Sequence, residues 1–267
     1  MNNYLITGIP RSGTSLFLNL VDNGNRLCFS EPPWLKNLRE KSNDGNQLAF
    51  YLKEKIQTLR DDIHNNKSIE IVFKINSKKV PDNYFSRNAN NTTKTRKIKP
   101  VILDNKYSHY DFIIKANALF TANIKQLLND KAWKIIPIVR DPLAVIMSWR
   151  SVKIASSQGR VKVNEKFSKD LIKIGQQKPL LKRQVLLLDW YFQQFEIFDK
   201  SNVVFYEDLI SDPISQIIKH LKCELPTKIN LTSKNNNKHY NLSEKEKILS
   251  AIKAYGKSLK LYYPEYN

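Results

Sequence analysis

Cysteine is nearly absent. Cys28 and Cys223 are the only two in 267 residues, and their spacing matches no metal motif, so neither a disulfide framework nor a structural zinc site is expected. No run of eighteen or more apolar residues exists, which leaves no candidate membrane span. The first strand-like segment begins at Tyr4, which leaves no room for a cleavable signal peptide and sets the expectation of a cytoplasmic chain. The four histidines, at 64, 109, 220 and 239, match no ligand or triad spacing. Acidic residues are the scarce charge: 25 Asp plus Glu stand against 44 Lys plus Arg, a net +19. With 41% apolar residues, the chain is long enough to bury a sizeable core, and one domain over residues 1–267 is expected.

The positive balance favours anionic partners without choosing among nucleic acid, an acidic glycan, an anionic membrane surface or a phosphorylated nucleotide. Asparagine is overused beside lysine, so genome composition is an equal explanation for the excess. Nucleic-acid binding by exposed aromatics among basic residues has little to work with, since the basic stretch 74–99 offers only Tyr84 and Phe85.

Residues 4–15, YLITGIPRSGTS, read as a short apolar strand entering a Gly/Pro/Ser/Thr turn, followed by helix-compatible LFLNLVD. DFIIK (111–115), KIIPIV (134–139) and NVVFY (202–206) read as buried strands. Helical spacing covers 118–129, 142–153, 181–199, 213–222 and 243–261. Alternating strands and helices predict an α/β fold of three layers, α/β/α, around a mainly parallel central sheet. Residues 74–99 are rich in Lys, Arg and Asn without apolar periodicity and are expected to form a basic loop insertion. In the polar tract 233–241 and just beyond it, Ser243 and Glu246 have the spacing of a capping box.

Gly8 and Gly13 bracket IPRS, with Thr14 and Ser15 following. This is the GxxxxG frame of a phosphate-binding loop with threonine where the Walker lysine stands. Backbone N–H groups turned inward, with a helix N-terminus behind them, accept an anion whatever nucleotide carries it. The cation here is Arg11, inside the loop. Without the lysine, and without a clear Mg²⁺-binding aspartate after a strand, hydrolysis of ATP or GTP lacks two usual parts.

GIPRSGTS resembles the 5′-phosphosulfate loop of sulfotransferases that use 3′-phosphoadenosine 5′-phosphosulfate (PAPS), in particular the Pro-Arg-Ser-Gly-Thr branch of bacterial carbohydrate and protein-tyrosine sulfotransferases. IIPIVRDPLAVIMSW resembles the family's second motif, a strand-end arginine with a serine eight residues on, here Arg140 and Ser148. VVFYEDLISDP resembles the segment near the adenine ring. The resemblance implies a P-loop sulfotransferase-like fold and transfer of a sulfuryl group to a hydroxyl acceptor, expected to be a saccharide or glycan, leaving 3′,5′-ADP with no metal required.

It further implies site roles. Arg11, Ser12, Gly13, Thr14 and Ser15 hold the 5′-phosphosulfate; Arg140 and Ser148 grip the 3′-phosphate; Tyr206 packs near adenine; Lys115 stabilises the sulfuryl oxygens. Glu207 and Asp208, facing an anionic ligand, are expected to brace a turn instead. Asn117 stands where the cytosolic branch has its catalytic histidine and cannot take a proton. Glu31, twenty residues beyond Arg11 as in the tyrosine-sulfating branch, is the candidate base, with loop bracing before Pro32 and Pro33 as its alternative and His109 in reserve. The nucleotide-closing loop of cytosolic sulfotransferases has no match, and the tract around Lys234 and Lys238 is the substitute. A P-loop kinase or phosphotransferase is the alternative function.

Overall fold

The computed structural model describes residues 2–22, 26–65, 67, 69–74, 79–87, 93–95, 99–103, 110–222 and 229–267. Cys223, His109 and part of the expected insertion lie outside the described residues. The chain divides into two compact units, Met1–Ile6 with Ser15–Ile135, and Thr7–Thr14 with Ile136–Asn267.

The first unit runs through β1 (Asn3–Gly8), α1 (Thr14–Val21), β2 (Arg26–Ser30), α2 (Pro33–Lys41), α3 (Gly45–His64), β3 (Ile69–Lys74), β4 (Phe85–Arg87), β5 (Thr93–Thr95), β6 (Lys99–Leu103), β7 (Asp111–Lys115), α4 (Asn117–Ala122) and α5 (Ile124–Leu128). Leu5, Ile6, Phe29, Phe112, Ile113 and Ile114 are fully buried, the near-continuous apolar pattern of strands covered on both faces. β7 pairs in parallel with β1 and with β2, in a register that sets Ile114 beside both Leu5 and Phe29, and Lys115 beside Ser30. The long helix α3 starts where the Asp44 carboxylate accepts from the Gln47 N–H at 2.9 Å, an N-cap. Its buried stripe is Leu48, Leu52, Ile56, Leu59 and Ile63, the three-and-four spacing of an amphipathic helix.

The stretch 74–99, expected as a loop, carries paired strands in its described part. β4 and β5 pair antiparallel, Phe85 against Thr95, and β3 pairs antiparallel with β6. Backbone pairing of this kind needs no apolar periodicity, which is why the polar composition read as loop.

The second unit runs through β8 (Lys134–Val139), α6 (Pro142–Arg150), α7 (Lys169–Gly175), α8 (Leu180–Phe195), β9 (Val204–Phe205), α9 (Tyr206–Ser211), α10 (Pro213–Leu221), α11 (Lys245–Tyr255) and α12 (Leu259–Tyr262). β8 and β9 pair in parallel, and the whole five-stranded sheet has the order β2-β7-β1-β8-β9, so the α/β class with a mainly parallel sheet holds. β9 is shorter than the expected 202–206 because Tyr206 already opens α9.

The helix expected over 243–261 is two helices. Asp189 of α8 accepts from the N–H groups of Lys257 and Leu259 at 2.8 and 3.0 Å, so the chain restarts as α12 instead of continuing α11. The Ser243–Glu246 capping box does not form. Asn241 Oδ1 takes the Ser243 N–H at 3.3 Å and its hydroxyl at 2.8 Å, and a 3-10 turn over Leu242–Glu244 precedes α11.

Two neighbours on α3 separate packing from chemistry. Leu52 is fully buried and Phe50 is 57% exposed. Leu52→Ala is expected to cost about 2–5 kcal/mol in urea unfolding through lost burial and a cavity, and Phe50→Ala no more than about 0.5 kcal/mol; equal costs would mean that α3 packs on a different face.

Candidate active site

The loop after β1 is tied down from beneath. Ile9 N–H donates to the Ile138 carbonyl at 3.2 Å, and Ser12 N–H donates back to the Ile9 carbonyl at 3.0 Å. The buried Ser12 hydroxyl donates to the same Ile138 carbonyl at 2.9 Å, and the Trp149 indole N–H donates to the Pro10 carbonyl at 2.7 Å. Both donors of Ser12 are thus engaged, the N–H within the loop and the hydroxyl on β8. Ser12 thereby shapes the cradle and ties it to β8.

Two residues of the loop adopt left-handed backbone. Gly13 has φ +93°, and a Cβ there would lie 2.7 Å from Tyr206 Cδ2, so glycine is required by conformation and by contact alike. Arg11 has φ +76°, which costs a non-glycine residue about 1–2 kcal/mol. The contacts that hold it there come from the second motif. Arg11 Nε donates to Ser148 Oγ at 3.2 Å, and Arg140 Nη1 donates to the Arg11 carbonyl at 2.8 Å.

Arg140, at the end of β8, is the hub. It is only 4% exposed. Besides the Arg11 carbonyl it donates through Nε to Asn235 Oδ1 at 2.8 Å and through Nη2 to Tyr240 Oη at 3.2 Å. Its guanidinium carbon lies 4.4 Å from the centre of the Tyr206 ring, a cation–π distance. Every acceptor is neutral, and among the described residues no carboxylate lies within ion-pair distance of this buried cation. Arg140 and Ser148 are therefore brought together through Arg11, the one bonded to its carbonyl and the other to its Nε.

Tyr206 is also anchored at its far end. Its hydroxyl accepts the Lys234 N–H at 2.9 Å, and Tyr240 Oη donates to the Lys234 carbonyl at 3.0 Å; burial pushes the Tyr206 phenol up. The tract 233–241 thus reaches the cluster through backbone, Asn235 and Tyr240, and not through the two lysine side chains that charge alone had singled out.

Glu207 braces, as expected. Its Oε1 accepts from the Asp141 N–H at 3.1 Å and Asn235 Nδ2 at 2.8 Å, and its Oε2 from Tyr263 Oη at 2.9 Å. Asp141 caps α6 through the Ala144 N–H at 2.7 Å and accepts from the Tyr266 hydroxyl. Burial pushes the Asp141 carboxyl up against these two hydrogen bonds, which hold it down. Asn235, Tyr240, Tyr263 and Tyr266 were missed in the sequence; each is an ordinary polar residue whose only signal is long-range contact.

In the first unit, Glu31 and Lys115 meet. Lys115 Nζ donates to Glu31 Oε1 at 2.8 Å, with the lysine side chain 5% and the glutamate 60% exposed. The Glu31 N–H donates to the Lys115 carbonyl at 2.8 Å, extending the β2/β7 ladder one residue past Ser30, and Glu31 then turns with φ +48°. Tyr84 lies over Lys115, ring centre 5.5 Å from Nζ, and burial pushes its phenol up to about 12. Thr14 is buried and Ser15 half-buried at the start of α1, where first-turn N–H groups have no intrahelical acceptor. Arg11, Glu31 and Arg140 each stand just past the carboxyl end of a strand, Lys115 ends β7, Tyr206 opens α9, and Ser148 lies near the end of α6.

A family model described as "Sulfotransferase domain" matches residues 2–260. No curated protein matches the chain. Among solved structures, the sulfotransferase STF1 of Mycobacterium tuberculosis H37Rv is similar at 12% identity and a TM-score of 0.38, over 94% of this chain and 76% of that one. At that score the family assignment rests on the domain match alone.

Gly13→Ala is expected to destabilise the protein by roughly 1–3 kcal/mol, from the φ it must hold and from the Tyr206 ring. An unchanged urea midpoint would mean that the loop relaxes freely.

Proposed function

Because the chain belongs to the sulfotransferase family, we propose that it moves the sulfuryl group of PAPS to a hydroxyl of a saccharide or glycan. The observation that supports this most is Arg140: a buried guanidinium whose acceptors are all neutral is expensive unless an anion completes it. A nucleotide with two separate anionic groups suits a cluster that carries two arginines.

The donor supplies an activated sulfur–oxygen bond, and the rest is positioning and charge. In this reading Arg11 and the N–H groups of Gly13, Thr14 and Ser15 take the 5′-phosphate, and Arg11 neutralises the oxygen that departs. Arg140 forks onto the 3′-phosphate beside the Ser148 hydroxyl. The Tyr206 ring, held by Lys234 and pressed against Gly13, gives adenine a flat apolar wall. Lys115 supplies positive charge to the sulfuryl oxygens, and Glu31 accepts the acceptor's hydroxyl proton as the new oxygen–sulfur bond forms. The carboxylate is suited to this by its exposure, while its ion pair with Lys115 fixes its direction. Glu31 has its backbone in the ladder and its side chain on a lysine, so it serves both as brace and as base.

Arg140→Ala is expected to weaken 3′,5′-ADP binding about 10- to 150-fold, the worth of a charged hydrogen bond, and Ser148→Ala by less, read by calorimetry on folded protein. Parent-like affinity in both would remove the second motif from the donor site. Thermal shift with 3′,5′-ADP against ATP plus Mg²⁺ separates this reading from a phosphotransferase, since the true ligand raises stability by mass action.

Glu31→Gln keeps an acceptor for Lys115 but takes no proton. It is expected to lower kcat about 10²- to 10⁴-fold with little change in nucleotide affinity. Loss of both together would assign Glu31 a bracing role only, and a parent-like rate would send the search for the base to another residue.

A further inference from the structure

We propose that Asn235 is a positioning residue that aims the Arg140 guanidinium while keeping its charge uncompensated, by standing between that cation and the carboxylate of Glu207. The proposal rests on the reading of Arg140 as part of an anion site.

Asn235 Oδ1 accepts from Arg140 Nε at 2.8 Å, and its Nδ2 donates to Glu207 Oε1 at 2.8 Å. A carboxamide has an acceptor and a donor on one flat head. Guanidinium only donates and carboxylate only accepts, so the two neighbours fix which way the amide points. A glutamate reaching Arg140 directly would orient it as well, but would cancel the charge that a phosphate needs to find. One side chain of separation keeps the orientation and leaves the charge.

The carboxylates around Arg140 are held the same way. Glu207 is filled by the Asp141 N–H, Asn235 and the Tyr263 hydroxyl. Asp141, next in sequence to Arg140, is filled by the Ala144 N–H and the Tyr266 hydroxyl. Neutral donors occupy both acids, and neither is hydrogen-bonded to the guanidinium, which acts on the Asp141 carboxyl only through space. Asn235 itself is held from both flanks: Lys234 is bound through its N–H to Tyr206 and through its carbonyl to Tyr240, and Tyr240 in turn accepts from Arg140. The amide therefore sits at a fixed place in a closed ring of contacts, and its chemistry decides what charge Arg140 presents.

The test compares Asn235→Asp with Asn235→Ala in the full chain by calorimetry, with 3′,5′-ADP and with inorganic pyrophosphate as probes. Both variants lose the donor to Glu207; the aspartate keeps the shape and the contact to Arg140 and adds a counter-charge, whereas alanine removes that contact too and adds no charge. Asn235→Ala is expected to weaken both probes about 3- to 10-fold, and Asn235→Asp at least ten times further. A residue that merely filled space would give the reverse order, since aspartate fills it better. Aspartate binding as well as alanine, or better, overturns the proposal. Should the aspartate variant not fold, alanine with parent-like affinity for pyrophosphate overturns it, and a 3- to 10-fold loss supports it. If the parent binds pyrophosphate but no 3′,5′-ADP, the donor reading falls and the Asn235 series is still read from pyrophosphate. If the parent binds neither, both fall.

Discussion

A buried guanidinium with no carboxylate within ion-pair distance among the described residues is the constraint around which the second unit is organised. It cannot relieve itself by losing a proton, as an amine can, so the surroundings must satisfy its five N–H groups with dipoles. The Arg11 carbonyl, the Asn235 amide, the Tyr240 hydroxyl and the face of Tyr206 do this from three separate stretches of chain. The strained backbone of Arg11 follows from the same need, because its turned-back carbonyl is one of those dipoles.

The buried lysine of the first unit is treated in the opposite way. Lys115 meets a carboxylate directly. The contact satisfies a buried donor, and Glu31 gains a fixed direction in return. The two cations thus show two solutions to burial: one is paired and draws its partner into position, the other is insulated and keeps its field.

Legibility in the sequence followed the range of the contacts. The loop at 8–15 was readable because its glycines, its strand and its helix are contiguous, and Gly13 has the reason the pattern assumed, close approach, although the group that approaches is Tyr206. Arg140, Ser148 and Glu31 were reachable only through a family resemblance, since nothing local separates a strand-end arginine from a surface one. Helix α3 was overlooked even though Leu48, Leu52, Ile56, Leu59 and Ile63 have helical spacing, because Lys and Asn around it masked a narrow stripe. The hydrogen bond of the Ser12 hydroxyl to Ile138 was not legible, because it depends on a strand 126 positions downstream. Asn235 had no local signature at all: its meaning comes from a partner 95 positions earlier.

That separation along the chain sets a timetable. Arg11 is bonded to a serine 137 positions downstream, a span that takes roughly 7–27 s to translate at about 5–20 residues per second. The asparagine and tyrosine that orient Arg140 come later still. A nascent chain therefore displays its glycine-rich turn well before any group exists to hold the turn's reversed carbonyl. The cluster around Arg140 is completed late in synthesis, and a chain halted before Asn235 would contain every residue of the recognisable loop without the contacts that orient the arginine behind it.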